Sequence, residues 1–98
     1  MYKLDFTGKF KKDYKRCCKR NYDISLLKKA FEILKETGTL PVNEYKTHKL
    51  SGKKPDVWDA HIEPDWLLLW SVYDSEDTDF EGIVSLTNTG THSDLFKK

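Results

Sequence analysis

Three histidines and one aspartate are the residues of this sequence best suited to chemistry. His48, His61 and His92 are all the histidines of the chain, and Asp65 follows His61 by four residues. Imidazole titrates near neutral pH, so histidine and aspartate side chains can divide the roles of general base and general acid. One group could take the proton of a ribose 2′-hydroxyl while another protonates the departing 5′-oxygen. Such a site would cleave RNA, and it would need neither a metal ion nor a cofactor.

The same histidines have two other interpretations. Three histidines in 98 residues is an ordinary number. Each could therefore be a polar residue on a strand or loop that makes its hydrogen bonds within the fold and has no role in chemistry. They could also form a three-histidine zinc site, but the short i,i+2 and i,i+4 spacings typical of such sites do not occur among them. The residues alone leave these alternatives open, and our prediction is a site without metal.

Charge is divided unevenly along the chain. Residues 1–54 contain 15 Lys/Arg and 6 Asp/Glu, a net charge of +9, whereas residues 55–98 contain 2 and 10, a net charge of −8. A segment this basic suggests a polyanionic partner such as RNA, because Lys and Arg neutralise phosphates. Alternatively, the two oppositely charged halves pair with each other.

Length and composition favour a small globular protein. We expect a single domain over residues 1–98, because the chain has uniform composition and no linker. The longest apolar stretch, residues 66–70, is too short to cross a bilayer, and the first residues lack a signal-peptide core. The expectation is therefore a cytoplasmic protein without a membrane partner. The adjacent Cys17 and Cys18 cannot make a disulfide framework.

The elements that must position the histidines are predicted in the order β-α-α-β-β-β. Alternating residues predict a strand over 2–6, and helical periodicity predicts amphipathic helices over 8–20 and 24–37, with Thr7 and Asp23 as N-caps. A loop follows over 39–45. Three strands are predicted over 57–62, 66–73 and 80–86, with a turn at 88–90 and a helical turn over 92–96.

This order predicts an α+β domain, with the short strand and two-helix hairpin packed on a three- to four-stranded antiparallel sheet. His48 precedes the predicted strands, His61 lies near the end of one, and His92 follows the last. An antiparallel sheet can bring these positions to one face. Asp65 would join them from the turn beside His61.

Three motifs resemble the YafQ branch of the RelE toxin superfamily. They are His-Lys-Leu-Ser-Gly at 48–52, His-Ile-Glu-Pro-Asp-Trp at 61–66 and Thr-Gly-Thr-His at 89–92. The resemblance covers the carboxy-terminal half motif by motif and the amino-terminal half in element order. It implies a RelE-like fold and an mRNA interferase, an endoribonuclease that cuts messenger RNA in the ribosomal A site beside 16S rRNA. It also implies a type II toxin held inactive by a cognate antitoxin protein.

The resemblance also implies roles for individual residues. It places the catalytic set on His48, His61, Asp65 and His92. His92 would be the general acid toward the 5′-oxygen, Asp65 or His48 the base, and His61 would position the phosphate.

Further residues are expected to contact RNA. Trp66 and Phe96 match aromatic positions that could stack on an unpaired base, although either could belong to the core instead. The basic residues expected to contact RNA are Lys9, Lys12, Lys15, Arg16, Lys46, Lys49 and Lys53.

Two positions depart from the resemblance. Relatives usually have arginines where this chain has Trp58 and Asn88. A guanidinium near the scissile phosphate would stabilise developing charge, so cleavage here could be weaker. The alternative function is a non-catalytic RNA- or ribosome-binding, or antitoxin-docking, member of the same fold.

Overall fold

The computed structural model describes residues 1–50, 52 and 56–96. Along these residues the elements are β1 (Tyr2–Phe6), α1 (Gly8–Lys19), α2 (Ile24–Thr37), α3 (Val42–Tyr45), β2 (His48–Leu50), β3 (Val57–Glu63), β4 (Trp66–Tyr73), β5 (Gly82–Gly90) and α4 (His92–Leu95).

Helices α1 and α2 begin at the predicted N-caps. The Thr7 hydroxyl accepts a hydrogen bond from the Phe10 backbone N–H at 3.1 Å, and the Asp23 carboxylate accepts one from that of Ser25. These caps satisfy backbone donors that have no partner inside the helix. Gly38 ends α2 with φ of +75°, and a Cβ at this position would lie 2.7 Å from the Tyr2 ring. Glycine therefore suits both the backbone and the packing of this turn.

The strands form one five-stranded sheet in the order β1-β5-β4-β3-β2. β1 pairs with β5 in parallel, placing Leu4 opposite Val84, and all other pairs are antiparallel. The predicted α+β class, with an amino-terminal strand and helix hairpin, is confirmed. The sheet has one strand more than the upper expectation of four, because His48–Leu50 pairs with β3.

Two predicted boundaries are wrong. The loop predicted over 39–45 contains α3, and β5 continues through the turn predicted at 88–90. β5 continues because a register shift between Leu69 and Trp70 lets its last residues pair with β4, Asn88 lying opposite Leu69 and Gly90 opposite Leu67. Such an irregularity adds a residue to one strand without ending the ladder.

The core lies between one face of the sheet and the helices. α1 packs on β5, while α2 packs on β1 and β3. The fully buried apolar side chains in this layer include Phe10, Cys17, Leu27, Leu34, Leu68, Trp70 and Leu86. Both cysteines are free, Cys17 in the core and Cys18 on the surface. Within residues 1–50, 52 and 56–96, no helix has the length and apolar character needed to span a membrane.

Candidate active site

Asp65 fixes the orientation of His92. The His92 backbone N–H donates to Asp65 Oδ1 at 3.0 Å, and the ring Nδ1 lies 2.6 Å from the same oxygen. A carboxylate oxygen only accepts hydrogen bonds, so Nδ1 carries a proton in this pair. This arrangement leaves the opposite ring nitrogen, Nε2, for a substrate.

The contact with His92 also determines the charge of Asp65. The hydrogen bond from the His92 backbone, followed by that from its ring, holds the pKa of Asp65 below its usual value. A carboxylate with a low pKa is charged at neutral pH and accepts a proton poorly. Of the two residues predicted as the base, this arrangement favours His48.

An arginine network anchors α4, the helix that begins at His92, to α1. Arg20 makes two hydrogen bonds to the Asp94 carboxylate, at 2.8 and 3.3 Å. Arg16 Nη2 donates to the Thr89 carbonyl at 3.1 Å, and its Nε lies 3.6 Å from the Asp94 carboxylate. Asp94 also forms a capping box with Thr91. Arg16 therefore makes structural contacts, and the RNA contact expected of it stays a prediction.

His61 lies beside His92 at the end of β3. Its Nδ1 is 3.1 Å from the Pro64 carbonyl oxygen, and the centroids of the His61 and His92 rings are 5.6 Å apart. Because a carbonyl oxygen only accepts, Nδ1 of His61 is the donor in this contact. The turn that carries Asp65 thus holds both histidines, one through a side chain and the other through a backbone carbonyl.

His48 begins β2 directly opposite Asp59 of β3. Its Nδ1 lies 2.8 Å from Asp59 Oδ1 and 3.3 Å from the Lys46 carbonyl oxygen. The ring N–H is aligned with the carbonyl, whereas Oδ1 of Asp59 is within ion-pair distance but receives no aligned hydrogen bond. Both neighbours favour a proton on Nδ1, and in the neutral ring this leaves Nε2 able to accept one.

Asp59 is a member of the site that the sequence analysis missed. Its carboxylate is only 4% exposed, and burial raises its pKa, while the charges of His48, His61 and His92 act in the opposite direction. The histidine in contact with this carboxylate is His48, whose Nδ1 lies 2.8 Å from Oδ1. Asp59 precedes His61 by two residues on a strand, and this period-two spacing, visible in the sequence, places both on one face.

The two aromatic residues predicted to contact RNA differ in exposure. Trp66 is 2% exposed, its Nε1 donates to Thr89 Oγ1 at 2.9 Å, and its ring packs against Tyr22. The prediction that Trp66 stacks on a base is therefore wrong, because the ring is in the core. Phe96 is 46% exposed, and its ring centroid lies 6.5 Å from that of His92. Phe96 can thus offer a ring face beside the site.

The predicted basic residues are spread over several surfaces. Lys46 is exposed and lines a cavity of about 330 Å³ together with His61 and Pro64. Lys49 lies 3.8 Å from the carboxylate of Asp56. The three lysines of α1 that were expected to contact RNA are exposed on the helical side of the sheet, and they are Lys9, Lys12 and Lys15. The prediction for Lys53 lies outside the described residues.

The two positions that lack arginine have structural roles. Asn88 Nδ2 donates to Asp13 Oδ2 at 3.3 Å, and the same oxygen accepts the Thr89 backbone N–H at 3.1 Å. Asn88 therefore joins β5 to α1. Trp58 is half-buried and packs against the core. Neither side chain supplies a positive charge to the site.

The described residues can be compared with the zinc site considered as an alternative from the sequence. There, no group of three His, Cys, Asp or Glu side chains is placed to share a metal ion. His48 and His92 each face an aspartate, but the two pairs do not combine into such a group.

Known proteins are similar to this chain in sequence and in fold. Residues 2–97 match the family YafQ, described as a bacterial toxin of type II toxin–antitoxin systems. The mRNA interferase toxin YafQ of Escherichia coli K12 is 35% identical over 94 residues, which are 95% of this chain and 94% of that protein.

Solved structures agree with the sequence match. YafQ in the E. coli DinJ–YafQ complex superposes with a TM-score of 0.75 at 34% identity, covering 98% of this chain and 99% of that one. A metal-bound toxin from Helicobacter pylori superposes with a TM-score of 0.80 at 32% identity, covering 98% and 100%. The chain therefore belongs to the YafQ family of type II toxin–antitoxin toxins, whose E. coli member is an mRNA interferase.

Proposed function

We propose that this chain is a ribosome-dependent endoribonuclease that cuts messenger RNA in the ribosomal A site by acid–base catalysis. Its E. coli relative is named an mRNA interferase, which is an endoribonuclease acting on messenger RNA. The observation that carries the proposal is the placement of His92 against Asp65 at 2.6 Å, with the His61 ring 5.6 Å from that of His92 and His48 against Asp59 at 2.8 Å. Paired imidazoles are suited to moving two protons at neutral pH.

The first proton transfer is assigned to His48. Its Nδ1 faces the Lys46 carbonyl and the Asp59 carboxylate, so in the neutral ring Nε2 is the basic nitrogen. Nε2 takes the proton of the ribose 2′-hydroxyl, and the 2′-oxygen forms a bond to the adjacent phosphorus. The bond from phosphorus to the 5′-oxygen breaks, leaving a 2′,3′-cyclic phosphate on the upstream fragment.

The second proton transfer is assigned to His92. In its imidazolium form, Nδ1 donates to Asp65 and Nε2 gives its proton to the departing 5′-oxygen. Because the carboxylate holds both the ring and the backbone, the acid is oriented before RNA arrives. His61, 5.6 Å away between ring centroids, positions the phosphate, and Phe96 stacks on an unpaired base.

Binding and location follow from the same proposal. Lys46, on the cavity beside His61, contacts the RNA backbone. The E. coli relative has been crystallised with DinJ, which supports an antitoxin as the partner that keeps this chain inactive. Residues 1–98 would act as one domain in the cytoplasm, where the ribosome and its messenger RNA are found.

The decisive variant is His92→Ala. We expect it to lower cleavage of ribosome-bound messenger RNA by about 100-fold or more, the usual contribution of a positioned general acid. Cleavage is measured by primer extension on programmed ribosomes. Ser93→Ala, also exposed on α4, is the matched control and should keep full activity. Undiminished cleavage by His92→Ala would contradict the acid–base mechanism, and strong cleavage of naked RNA would contradict ribosome dependence.

A non-catalytic member of the family is the second candidate. It is favoured by one observation, that neither Trp58 nor Asn88 supplies the positive charge expected beside the phosphate. This candidate predicts that the wild type stops growth while messenger RNA stays intact. It also predicts that His92→Ala stops growth equally well, so the same variant separates the two functions.

A further inference from the structure

The proposed acid lies at the start of a very short helix. His92 is the first residue of α4, which has only four residues, His92–Leu95. A helix this short has little stability of its own and depends on contacts with the rest of the fold. Two carboxylates bind its start: Asp65 accepts the His92 backbone N–H, and Asp94 accepts that of Thr91 at 2.9 Å. The orientation of His92 therefore depends on how firmly each carboxylate is held.

The two carboxylates are held differently. The Asp65 side chain is 68% exposed, and within the described part of the chain its carboxylate binds only His92. The Asp94 side chain is 15% exposed, and its two oxygens accept hydrogen bonds from the Arg20 guanidinium at 2.8 and 3.3 Å. A bidentate pair of this kind fixes the geometry of both groups. Asp65 can thus move together with His92, whereas Asp94 attaches α4 to the body of the protein.

Arg20 projects from the end of α1, a helix that is fixed in the core. Phe10 and Cys17 of this helix are buried. Arg20 is the residue that ends the helix, and its backbone N–H donates to the Arg16 carbonyl at 3.1 Å. A positive charge at this end of a helix is also favoured by the helix dipole. The guanidinium is therefore held by an element that belongs neither to α4 nor to the turn of Asp65.

A second arginine holds the strand that leads into α4. Arg16 lies one helical turn before Arg20, and its Nη2 donates to the Thr89 carbonyl at 3.1 Å. The next residue, Gly90, has φ of +153°. Glycine has the greatest backbone freedom of any residue, so α4 could turn about this point if only the strand were held. The ion pair between Arg20 and Asp94 supplies a second point of attachment beyond the glycine.

We propose that Arg20 is a positioning residue of the site, which acts through Asp94 to hold the His92 ring where the RNA meets it. An exposed ion pair contributes little to the stability of a fold. Catalysis is more sensitive to position, because a displacement of about 1 Å can lower a rate by about 100-fold. The proposal rests on the proposed function in taking His92 as the general acid.

The cleavage test compares two substitutions of Arg20 with one of its neighbour. Arg20→Ala should lower the maximal cleavage rate on programmed ribosomes about tenfold and change the KM by less than about twofold. Arg20→Lys keeps the charge but loses the two parallel hydrogen bonds, so it should recover only part of the rate. Lys19→Ala removes the same charge from an exposed residue beside Arg20 and should cleave at the wild-type rate. An equal loss of rate in Lys19→Ala would overturn the proposal, because only overall charge would then matter.

The double variant Arg20→Ala/Asp94→Asn tests whether Arg20 acts through Asp94. Asp94→Asn already weakens the link, so adding Arg20→Ala should lower the rate by less than about a further twofold. A guanidinium that contacts RNA directly would instead lower the rate by the same factor in both backgrounds and would raise the KM. Either of these two results would overturn the proposal.

The His92 ring reports its own position without RNA or ribosomes. Nitrogen-15 NMR of the labelled protein records Nδ1 and Nε2 of each histidine. Arg20→Ala should shift or broaden the signals of His92 and leave those of His48 unchanged. Unchanged His92 signals would overturn the proposal whatever the cleavage rate. Shifted His92 signals with an unchanged rate would support the positioning role and contradict the acid role of His92, so the two proposals can fail separately.

Discussion

One oxygen of Asp65 binds both the backbone and the ring of His92. Oδ1 accepts the backbone N–H at 3.0 Å and lies 2.6 Å from Nδ1. Rotation of the ring or movement of α4 would break at least one of these contacts. The position of the proposed acid therefore depends on a turn between β3 and β4 that is distant from it in sequence.

Asp65→Asn should lower cleavage by about 10- to 100-fold, because a neutral amide can hold the ring in the wrong tautomer and no longer pairs with the imidazolium. The single-turnover rate on programmed ribosomes provides the measurement. Glu63→Gln, exposed at the end of β3 beside the same turn, is the control and should retain activity. Full activity of Asp65→Asn would show that His92 is oriented by other groups.

Asp59→Asn should separate stability from activity. Burial raises the folded pKa of Asp59 above its usual 3.8, so its charged form opposes folding at neutral pH. The protonated carboxyl of Asp59 contributes favourably to the free energy of unfolding. This contribution is present below pH 3.8 and is lost as pH rises through the folded pKa. At pH 7 the amide should leave the free energy of unfolding unchanged or raise it by about 1 kcal/mol. Cleavage should nevertheless fall about tenfold, because the charged group beside His48 is lost.

Urea unfolding at pH 7 and at pH 3 measures the change in free energy of unfolding caused by Asp59→Asn. This change should disappear at pH 3. Asp56→Asn is a matched control, because Asp56 is exposed next to Lys49. A large loss of stability in Asp59→Asn at pH 7 would mean that the charged pair with His48 stabilises the fold.

Asp94→Asn should remove part of the acid sensitivity of the protein. The ion pair with Arg20 holds the pKa of Asp94 far below its usual 3.8. Its contribution is therefore complete above pH 3.8 and is lost as pH falls through the folded pKa. We expect Asp94→Asn to lose about 1 kcal/mol at pH 7. The difference in free energy of unfolding between the variant and the wild type should become smaller as pH falls below 3.8. Urea unfolding at a series of pH values measures this difference. A constant difference at all pH values would exclude the carboxylate charge as its cause.

Gly90→Ala should damage both stability and activity. Gly90 has φ of +153°, and a Cβ there would lie 2.7 Å from Arg16 Nη2 and 2.9 Å from Asp94 Oδ2. The added methyl group would push apart the network that anchors α4, with a cost of about 1–3 kcal/mol. Gly8→Ala is the control, because its Cβ meets nothing within 4 Å and should be neutral or slightly stabilising. Thermal unfolding by circular dichroism distinguishes the two substitutions. Equal melting temperatures would show that the network can adjust.

Much of the fold was predictable because its signals are local. The caps of α1 and α2, the glycine after α2 and the bounds of β4 all follow from neighbouring residues. β2 carries no such signal, because three residues are too few for a pattern and only their pairing with β3 defines a strand. The extension of β5 to Gly90 likewise depends on a register shift against β4.

The candidate site was predictable in its residue types but not in its contacts. Motifs identified His48, His61, Asp65 and His92, whereas the role of Asp59 depends on its register opposite His48. Burial was the other unknown. Trp66 and Phe96 are similar in sequence terms, yet one lies inside the core and the other remains exposed. Arg16 resembled a surface cation, and only tertiary structure shows its contacts with Thr89 and Asp94.

The pairing of β1 with β5 has a consequence for synthesis of the protein. β1 begins at residue 2 but hydrogen bonds to a strand that ends at residue 90. Contacts between residues so far apart in sequence form late, because a long loop must close first. A chain still emerging from the ribosome lacks the partner of β1, together with His92. The candidate site therefore cannot assemble before the segment through His92 has left the ribosome that made it.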